Sequence, residues 1–177
     1  MLYAETAKDL FEAADDRLLI QCISADFACD TGICIAFDNK FGIKHTLLEL
    51  YGGAYLDSWF SLHKQGDCLR TGNVFNLVTR AKSHGSATEV CIRNSLLILK
   101  GMCREQNVTR LALTNLGMGL ERVGWEKVRE IIKDVFKDTD VDILVCTCRE
   151  RRQKFDRKEQ TLKKHWGRFR PGIKQAE

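Results

Sequence analysis

The chain has 177 residues, 44% of them apolar and only one of them proline, and carries a formal net charge of +4. These values exclude a disordered or low-complexity chain and predict a single globular domain with a sizeable core. No segment reaches the roughly 20 consecutive apolar residues of a membrane span, and the N-terminus lacks the basic and apolar regions of a signal peptide, so we expect a cytoplasmic protein with no membrane partner.

Apolar and β-branched segments bounded by Gly, Asp and Asn predict the strands. In chain order the predicted strands are Arg17–Ser24, Asp67–Arg70, Val74–Thr79, Thr109–Thr114 and Asp142–Thr147. Between them, apolar residues recur at helical spacing and predict two clear helices, Ala87–Gln106 and Gly124–Lys137. Strands that alternate with helices of this length predict a layered α/β domain whose ligands bind beyond the carboxyl ends of the strands.

The eight cysteines are scattered, mostly within apolar segments, and include no CxxC pair. In a cytosolic domain such cysteines behave as small buried hydrophobes, so neither a zinc site nor a disulfide framework is expected. The four histidines also lack metal-ligand spacing. The sequence therefore predicts no metal and no cofactor.

The positive charge is concentrated at the end of the chain. Residues 149–177 contain eleven Lys and Arg against four Asp and Glu, a net charge of +7, which leaves −3 for residues 1–148. We expect residues 149–177 to form a basic, mostly helical tail outside the domain. Either this tail is a solvated helix with a frayed end, or its basic and aromatic residues bind nucleic-acid phosphates.

A Gly-x-Gly turn lies between the predicted strand at 109–114 and the helix that follows it. Gly117 and Gly119 let the backbone approach a ligand closely, and the following helix N-terminus adds a partial positive charge. This combination suits a phosphorylated sugar. A lone Gly-x-Gly is a weak signal, however, and an ordinary strand-to-helix turn is the alternative.

Five segments in a fixed order carry a resemblance to a known family. They are Lys8–Phe11, QCISADF at 21–27, NKFGIKHTLLELYG at 39–52, VFNLVT at 74–79 and LGMGLERVGWEKV at 116–128. Over about residues 2–147 the chain resembles a macro domain, of the branch that contains the terminal ADP-ribose protein glycohydrolase and the bacterial antitoxins that remove ADP-ribose from DNA. The resemblance implies a three-layer α/β/α sandwich around a mixed sheet, with ADP-ribose in a cleft across the strand ends.

The resemblance also implies a role for individual residues. Asp9 would accept from the adenine amino group, Leu10 would pack beside the ring, and Ser24 would border the pocket. Residues 116–120 would surround the phosphates and the distal ribose. The full set of implied ligand contacts is Asp9, Leu10, Ser24, Gly32, Ile33, Thr79, Leu116, Gly117, Met118, Gly119 and Leu120. Because Asp9 precedes an apolar helical segment, a simple helix N-cap is the alternative for that residue.

The residues at the implied catalytic positions depart from the family. Relatives carry a nucleophilic lysine after the Val-Thr at the strand end, where this chain has Arg80. A guanidinium stays charged in proteins and cannot take over that chemistry. Lys82 is a possible substitute, since its side chain would point to the same side as residue 80 if the extended backbone continued, but a solvated surface lysine is the favoured interpretation.

A second catalytic position is also altered. The family's aspartate after Gly-x-Gly-Leu is Glu121 here, which keeps the carboxylate but displaces it by about 1.5 Å. Acid–base chemistry needs only hydrogen-bond reach, so it can persist, yet a misplacement of this size can cost about 100-fold in rate.

The loop Cys29–Ile33 replaces a Gly-Ala-Gly run of the relatives and retains Gly32. Its Asp30 either caps a helix that begins near Ile33, which we predict, or repels the ligand's diphosphate and weakens binding.

Together these features predict a nucleotide-binding macro domain that binds ADP-ribose or ADP-ribosylated protein or nucleic acid. Any ADP-ribosyl hydrolase activity would be weakened or altered by Arg80 and Glu121. One alternative is a non-catalytic reader of ADP-ribose or a related NAD metabolite. The other is a nucleic-acid-associated protein that acts through its basic tail.

Overall fold

A computed structural model describes residues 1–63, 66–117 and 122–147, and Met1–Thr147 form one compact unit. Its strands are β1 Leu2–Thr6, β2 Leu18–Ser24, β3 Asp67–Thr71, β4 Val74–Arg80, β5 Arg110–Leu113 and β6 Asp142–Cys146. Its helices are α1 Ile33–Phe41, α2 Ile43–Tyr51, α3 Tyr55–Ser58, α4 Glu89–Glu105 and α5 Trp125–Phe136, with a 3₁₀ turn at Leu10–Ala13 and a π turn at Trp59–His63. The predicted tail, residues 149–177, lies outside the described residues.

The six strands form one mixed sheet in the order β1-β6-β5-β2-β4-β3. β3 runs antiparallel to β4, and every other neighbouring pair is parallel. The carboxyl ends of β1, β2, β4, β5 and β6 therefore meet at a single edge, which we call the carboxyl edge. Loops that follow these strands bring together segments that are far apart in sequence.

Each face of the sheet is covered by its own apolar core. One face packs against α4 and α5 through side chains such as Phe75, Leu99 and Phe136. The other packs against α1, α2 and α3 through side chains such as Phe37 and Leu47. The predicted three-layer α/β/α sandwich is thus confirmed. Central strands that are buried along their length, as β4 is, are expected of a parallel sheet covered on both faces.

The five predicted strands and the two clear helices are present within one or two residues of their predicted ends, but β1 was missed. This strand joins the sheet through β6 alone, with Leu2 opposite Asp142 and Thr6 opposite Cys146. Most of its residues are exposed, and Leu2 is 70% exposed. A strand of this kind has little apolar alternation to reveal it in the sequence.

Two further properties of the described residues bear on ligand type. None of their helices is long and apolar enough to cross a membrane. Across residues 1–63, 66–117 and 122–147, no group of three His, Cys, Asp or Glu side chains is arranged to hold a metal ion.

Candidate functional site at the carboxyl edge

Four of the predicted site segments converge on the carboxyl edge of the sheet. Asp9 follows β1, Ser24 ends β2, Arg80 ends β4, and Leu116 with Gly117 follows β5. In parallel α/β sheets this edge is where ligands bind. The topology therefore collects at one place groups that the sequence separates by more than 100 residues.

Asp9 is the N-cap of the 3₁₀ turn that follows β1. Its carboxylate accepts a hydrogen bond from the backbone N–H of Phe11 at 2.7 Å, and the side chain is exposed. Leu10 points inward and is 3% exposed, within the core on the α1 side. The capping alternative is thus present, and it uses only Oδ1 of the carboxylate. Contact of Asp9 and Leu10 with adenine stays a prediction.

Asp26, which was not among the predicted site residues, joins two loops of the carboxyl edge. Its Oδ1 accepts from Ser24 Oγ at 2.5 Å and from the Ala28 backbone N–H at 3.3 Å. Its Oδ2 accepts from the Ser83 backbone N–H at 3.1 Å. The bond to Ala28 is the local turn contact that Asp commonly makes two residues ahead, a signal present in the sequence. The bond to Ser83 links the loop after β2 to the loop after β4.

The end of β4 carries two buried polar residues. Thr79 is fully buried, and its Oγ1 makes no hydrogen bond within the described part of the chain. Arg80 is 6% exposed, and its carbonyl accepts from the Ala25 N–H at 2.9 Å. The pairing of β2 with β4 is irregular at this point, with Ile23 opposite Val78 but Ser24 opposite Arg80. A permanent positive charge is therefore held at the buried end of this strand.

The condition under which Lys82 would align with Arg80 is not met, because the extended backbone stops at Arg80. The chain then turns, with the Gly85 N–H donating to the Lys82 carbonyl at 2.9 Å, and Lys82 is exposed. The turn breaks the strand alternation that would have aligned Lys82 with Arg80. The structure thus agrees with the surface-lysine alternative.

The predicted helix cap at Asp30 is also wrong. α1 begins at Ile33 as expected, but its N-cap is Gly32, with φ +63°, and no side chain caps the helix. Glycine adopts this left-handed conformation without steric cost. Asp30 is exposed in the preceding loop, whereas Ile33 is half-buried against the α1-side core. A carboxylate without a capping role therefore stands in the loop predicted to face the diphosphate.

Gly117 closes the base of the loop between β5 and α5. Its carbonyl accepts from the N–H groups of Val123 and Gly124, each at 3.2 Å. It has φ +78°, and a Cβ at this position would lie 2.6 Å from Val128 Cγ2, so only glycine fits. Its neighbour Leu116 is buried in the α4/α5 core. Residues 118–121, which include the predicted site residues Met118, Gly119, Leu120 and Glu121, lie outside the described residues.

Two solved macro domains share this architecture. The macrodomain of Mycobacterium tuberculosis DarG matches with a TM-score of 0.67 and 20% identity, over 82% of this chain and 97% of that one. The macrodomain of Thermus aquaticus DarG matches with a TM-score of 0.64 and 18% identity, over the same shares. The fold with its convergent carboxyl edge is therefore that of a macro domain.

Sequence comparison adds close relatives, although no family model matches the chain. The ADP-ribose glycohydrolase OARD1 of Bos taurus is 33% identical over 143 residues, which cover 78% of this chain and 87% of the relative. The Homo sapiens OARD1 is 32% identical over the same length and shares. The chain belongs to the macro-domain family of these ADP-ribose glycohydrolases.

Proposed function

We propose that this protein binds ADP-ribose, free or attached to a macromolecule, in a cleft at the carboxyl edge of its sheet. The observation that carries the proposal is the convergence of Asp9, Ser24, Arg80 and Gly117 at this edge in a chain 33% identical to an ADP-ribose glycohydrolase. A structural relative, Thermosipho africanus DarTG, was solved in complex with ADP-ribose. The Asp9 carboxylate suits the adenine amino group, and the buried Arg80 cation suits the phosphates. The turn at Gly117 suits the distal ribose.

The proposed contacts follow the predicted ones. Asp9 accepts from the adenine amino group through the carboxylate oxygen that its capping bond leaves over, and Leu10 borders the ring. The unpartnered Thr79 hydroxyl is a group that a ligand or an ordered water satisfies. The loop that begins α1, with Gly32 and Ile33, and the loop from Leu116 to Leu120 then enclose the diphosphate and distal ribose between them.

The proposed activity is hydrolysis of ADP-ribosyl linkages at a weak or altered rate. Arg80 holds positive charge at the strand end but cannot deprotonate to become a nucleophile. Chemistry then depends on a carboxylate such as Glu121 acting as acid or base toward a water molecule. Burial of a fixed guanidinium also favours the second candidate, a non-catalytic reader that uses Arg80 only to neutralise phosphate. A nucleic-acid role for residues 149–177 and a cytoplasmic location stay predictions.

Calorimetric titration with ADP-ribose, using two substitutions of Asp9, tests the proposal. Asp9→Asn keeps an oxygen that can cap the Leu10–Ala13 turn but replaces the other with an amide donor, which cannot accept from adenine. Asp9→Ala removes both functions. We expect micromolar binding by the native protein and a loss of about tenfold or more in both variants. Native affinity in Asp9→Asn would assign the residue to capping alone, and no binding by the native protein would refute the proposed function.

A further inference from the structure

A groove with a volume of about 350 Å³ lies at the end of the sheet opposite the carboxyl edge. Leu18, the first residue of β2, and Arg110, the first residue of β5, both line it. Because β2 spans seven residues at about 3.3 Å each, this groove lies roughly 20 Å from the proposed ADP-ribose cleft. Its volume is sufficient for a small ligand. We call it the amino-edge groove.

Arg70 lines this groove with a guanidinium that three contacts hold in place. Its Nε donates to the Gly72 carbonyl at 2.8 Å and its Nη1 donates to Gln106 Oε1. The guanidinium carbon lies 5.5 Å from the ring centroid of the buried Phe75. All three partners are uncharged, and Arg70 forms no ion pair within the described part of the chain. A positioned fork of N–H donors, with an uncompensated charge, is therefore available to an anion.

Arg110 adds less positive charge to the groove, because it is paired. Its Nη1 lies 2.8 Å from Asp16 Oδ2, and Asp16 lines the same groove. The two charges of this exposed pair offset each other, so the net positive charge of the groove is that of Arg70. An anion is therefore expected at the Arg70 fork, while the Asp16 carboxylate offers an acceptor to a hydroxyl group.

The C-terminus of α4 borders the groove, and the partial negative charge of its last carbonyls opposes an anion. Asn107 ends this helix in a left-handed conformation with φ +53°. The Gln106 N–H donates to the Met102 carbonyl at 3.0 Å. The Val108 N–H donates to the Cys103 carbonyl at 2.8 Å. Two of the last carbonyls are thus satisfied, which reduces their opposition to an anion.

The other side chains of the groove combine polar and apolar groups. Asn107 brings an amide and Thr109 a hydroxyl, and each of these groups both donates and accepts hydrogen bonds. Leu18 and Val108 bring apolar side chains that pack in the α4/α5 core. Apolar surface with a few polar groups and a charge is the usual composition of a small-molecule site.

We propose that the amino-edge groove is a second ligand site, which binds a phosphate monoester no larger than a mononucleotide. The phosphate accepts hydrogen bonds from Nη1 and Nη2 of Arg70. The sugar hydroxyls bond to the Asp16 carboxylate, and apolar atoms of the ligand pack on Leu18 and Val108. The site is separate from the cleft of the proposed function and does not depend on it.

A phosphate monoester suits the Arg70 fork better than a carboxylate does. It carries a charge of about −1.5 to −2 at pH 7 and three acceptor oxygens. Two of these oxygens accept the parallel N–H bonds of a guanidinium, and the third is left for the Asn107 amide or the Thr109 hydroxyl. A carboxylate has two oxygens, and the fork uses both. A sugar phosphate and a nucleotide share the monoester, and the experiment distinguishes these two sources.

Nuclear magnetic resonance titration of the full native chain tests the proposal, with ribose 5-phosphate and adenosine 5′-monophosphate as probes. At low ionic strength both should shift the Asn107, Thr109 and Arg110 amides, with a Kd of about 1 mM or tighter for the better probe. Salt should weaken the binding, and adenosine, which has no phosphate, should leave these amides unshifted. Tighter binding of the nucleotide would identify a nucleotide site, and equal binding a sugar-phosphate site. Shifts confined to the carboxyl edge, or no shifts, overturn the proposal.

Substitutions then test the role of Arg70. Arg70→Gln removes the charge and should weaken binding about tenfold or more, whereas Arg70→Lys keeps the charge, loses the planar fork and should lose less. Arg104→Gln is the matched control, because Arg104 is an exposed arginine in the last turn of α4 that does not line the groove. Native affinity in Arg70→Gln overturns the proposal, and urea denaturation checks that this variant folds. If it does not fold, the native titration and Arg70→Lys decide.

Asp9→Ala separates this site from the proposed function. The substitution removes a proposed adenine contact at the carboxyl edge and should leave the shifts at Asn107 and Thr109 unchanged. Loss of these shifts in Asp9→Ala would place the monoester in the carboxyl-edge cleft and overturn the second site. A native protein that binds the monoester at the amino edge but does not bind ADP-ribose would refute the proposed function alone.

Discussion

Asp26 and Ser83 are 57 residues apart in sequence, yet the Asp26 carboxylate accepts the Ser83 backbone N–H at 3.1 Å. Through its other oxygen the same carboxylate holds Ser24 and Ala28. One side chain therefore fixes the relative position of the loops that follow β2 and β4. Those loops flank the end of β4, where Arg80 lies.

Replacing Asp26 by alanine is expected to loosen both loops. Hydrogen bonds to a charged group contribute about 1.5–3 kcal/mol each, so Asp26→Ala should weaken ADP-ribose binding about tenfold or more. Hydrogen exchange should become faster at the Ala28 and Ser83 amides. Ser24→Ala, which removes only one partner, is the matched control and should have a smaller effect on both measurements. Unchanged exchange at Ser83 would contradict the linking role.

A substitution of Asp30, in the same loop after β2, is expected to strengthen ADP-ribose binding, whereas Asp26→Ala weakens it. Its carboxylate is exposed and does not cap α1, so Asp30→Asn should leave the free energy of unfolding unchanged. Removing a negative charge near an anionic ligand should tighten ADP-ribose binding about two- to tenfold at low salt, with less gain at high salt. Calorimetry at two ionic strengths measures this. Equal affinity of both proteins at low salt would place Asp30 away from the diphosphate.

Substitution by alanine should change the free energy of unfolding in opposite directions at Gly117 and Gly101. Gly117→Ala adds a Cβ that clashes with Val128 Cγ2 at a left-handed position, so we expect a loss of about 2–4 kcal/mol in unfolding free energy. Gly101 lies inside α4 with nothing within 4 Å of an added Cβ. Gly101→Ala should stabilise by about 0.5–1 kcal/mol through helix propensity. Urea denaturation of both variants gives the comparison, and a stable Gly117→Ala protein would show that the loop base adapts.

Introducing the lysine and the aspartate that the macro-domain resemblance predicts at positions 80 and 121 should show whether their absence limits hydrolysis. The double substitution Arg80→Lys, Glu121→Asp is expected to raise the hydrolysis rate on ADP-ribosylated protein or DNA by about 100-fold or more, because it returns a nucleophilic amine and the shorter carboxylate. Single-turnover release of ADP-ribose is the measurement. Lys82→Ala is the matched control and should change nothing, since Lys82 is exposed in a turn. A rate that falls with Lys82→Ala, or that gains nothing from the double substitution, would indicate another mechanism.

The predictable part of this fold lies where local sequence decides the structure. Central strands such as β4 are mostly apolar and buried along their whole length, and α5 repeats its apolar residues at helical spacing. The site was harder to predict from the sequence, because its geometry depends on the backbone angles of single residues. Gly32 rather than Asp30 starts α1 since its φ is +63°, and Lys82 turns outward since a reverse turn follows Arg80. The Asp26–Ser83 bond depends on strands adjacent only in three dimensions, which one sequence does not reveal.

The pairing of β1 with β6 sets an order on assembly. Residues 2–6 have their strand partners at 142–146, so this contact closes a loop that spans nearly the whole compact unit. Loop closure over such separation is slow and late, because local contacts form first. During synthesis the first strand must wait, unpaired, until the last strand has left the ribosome. Asp9, which follows β1, is therefore expected to reach its place only at the end. If Asp9 contacts adenine as proposed, a nascent chain gains this contact only when the domain is nearly complete.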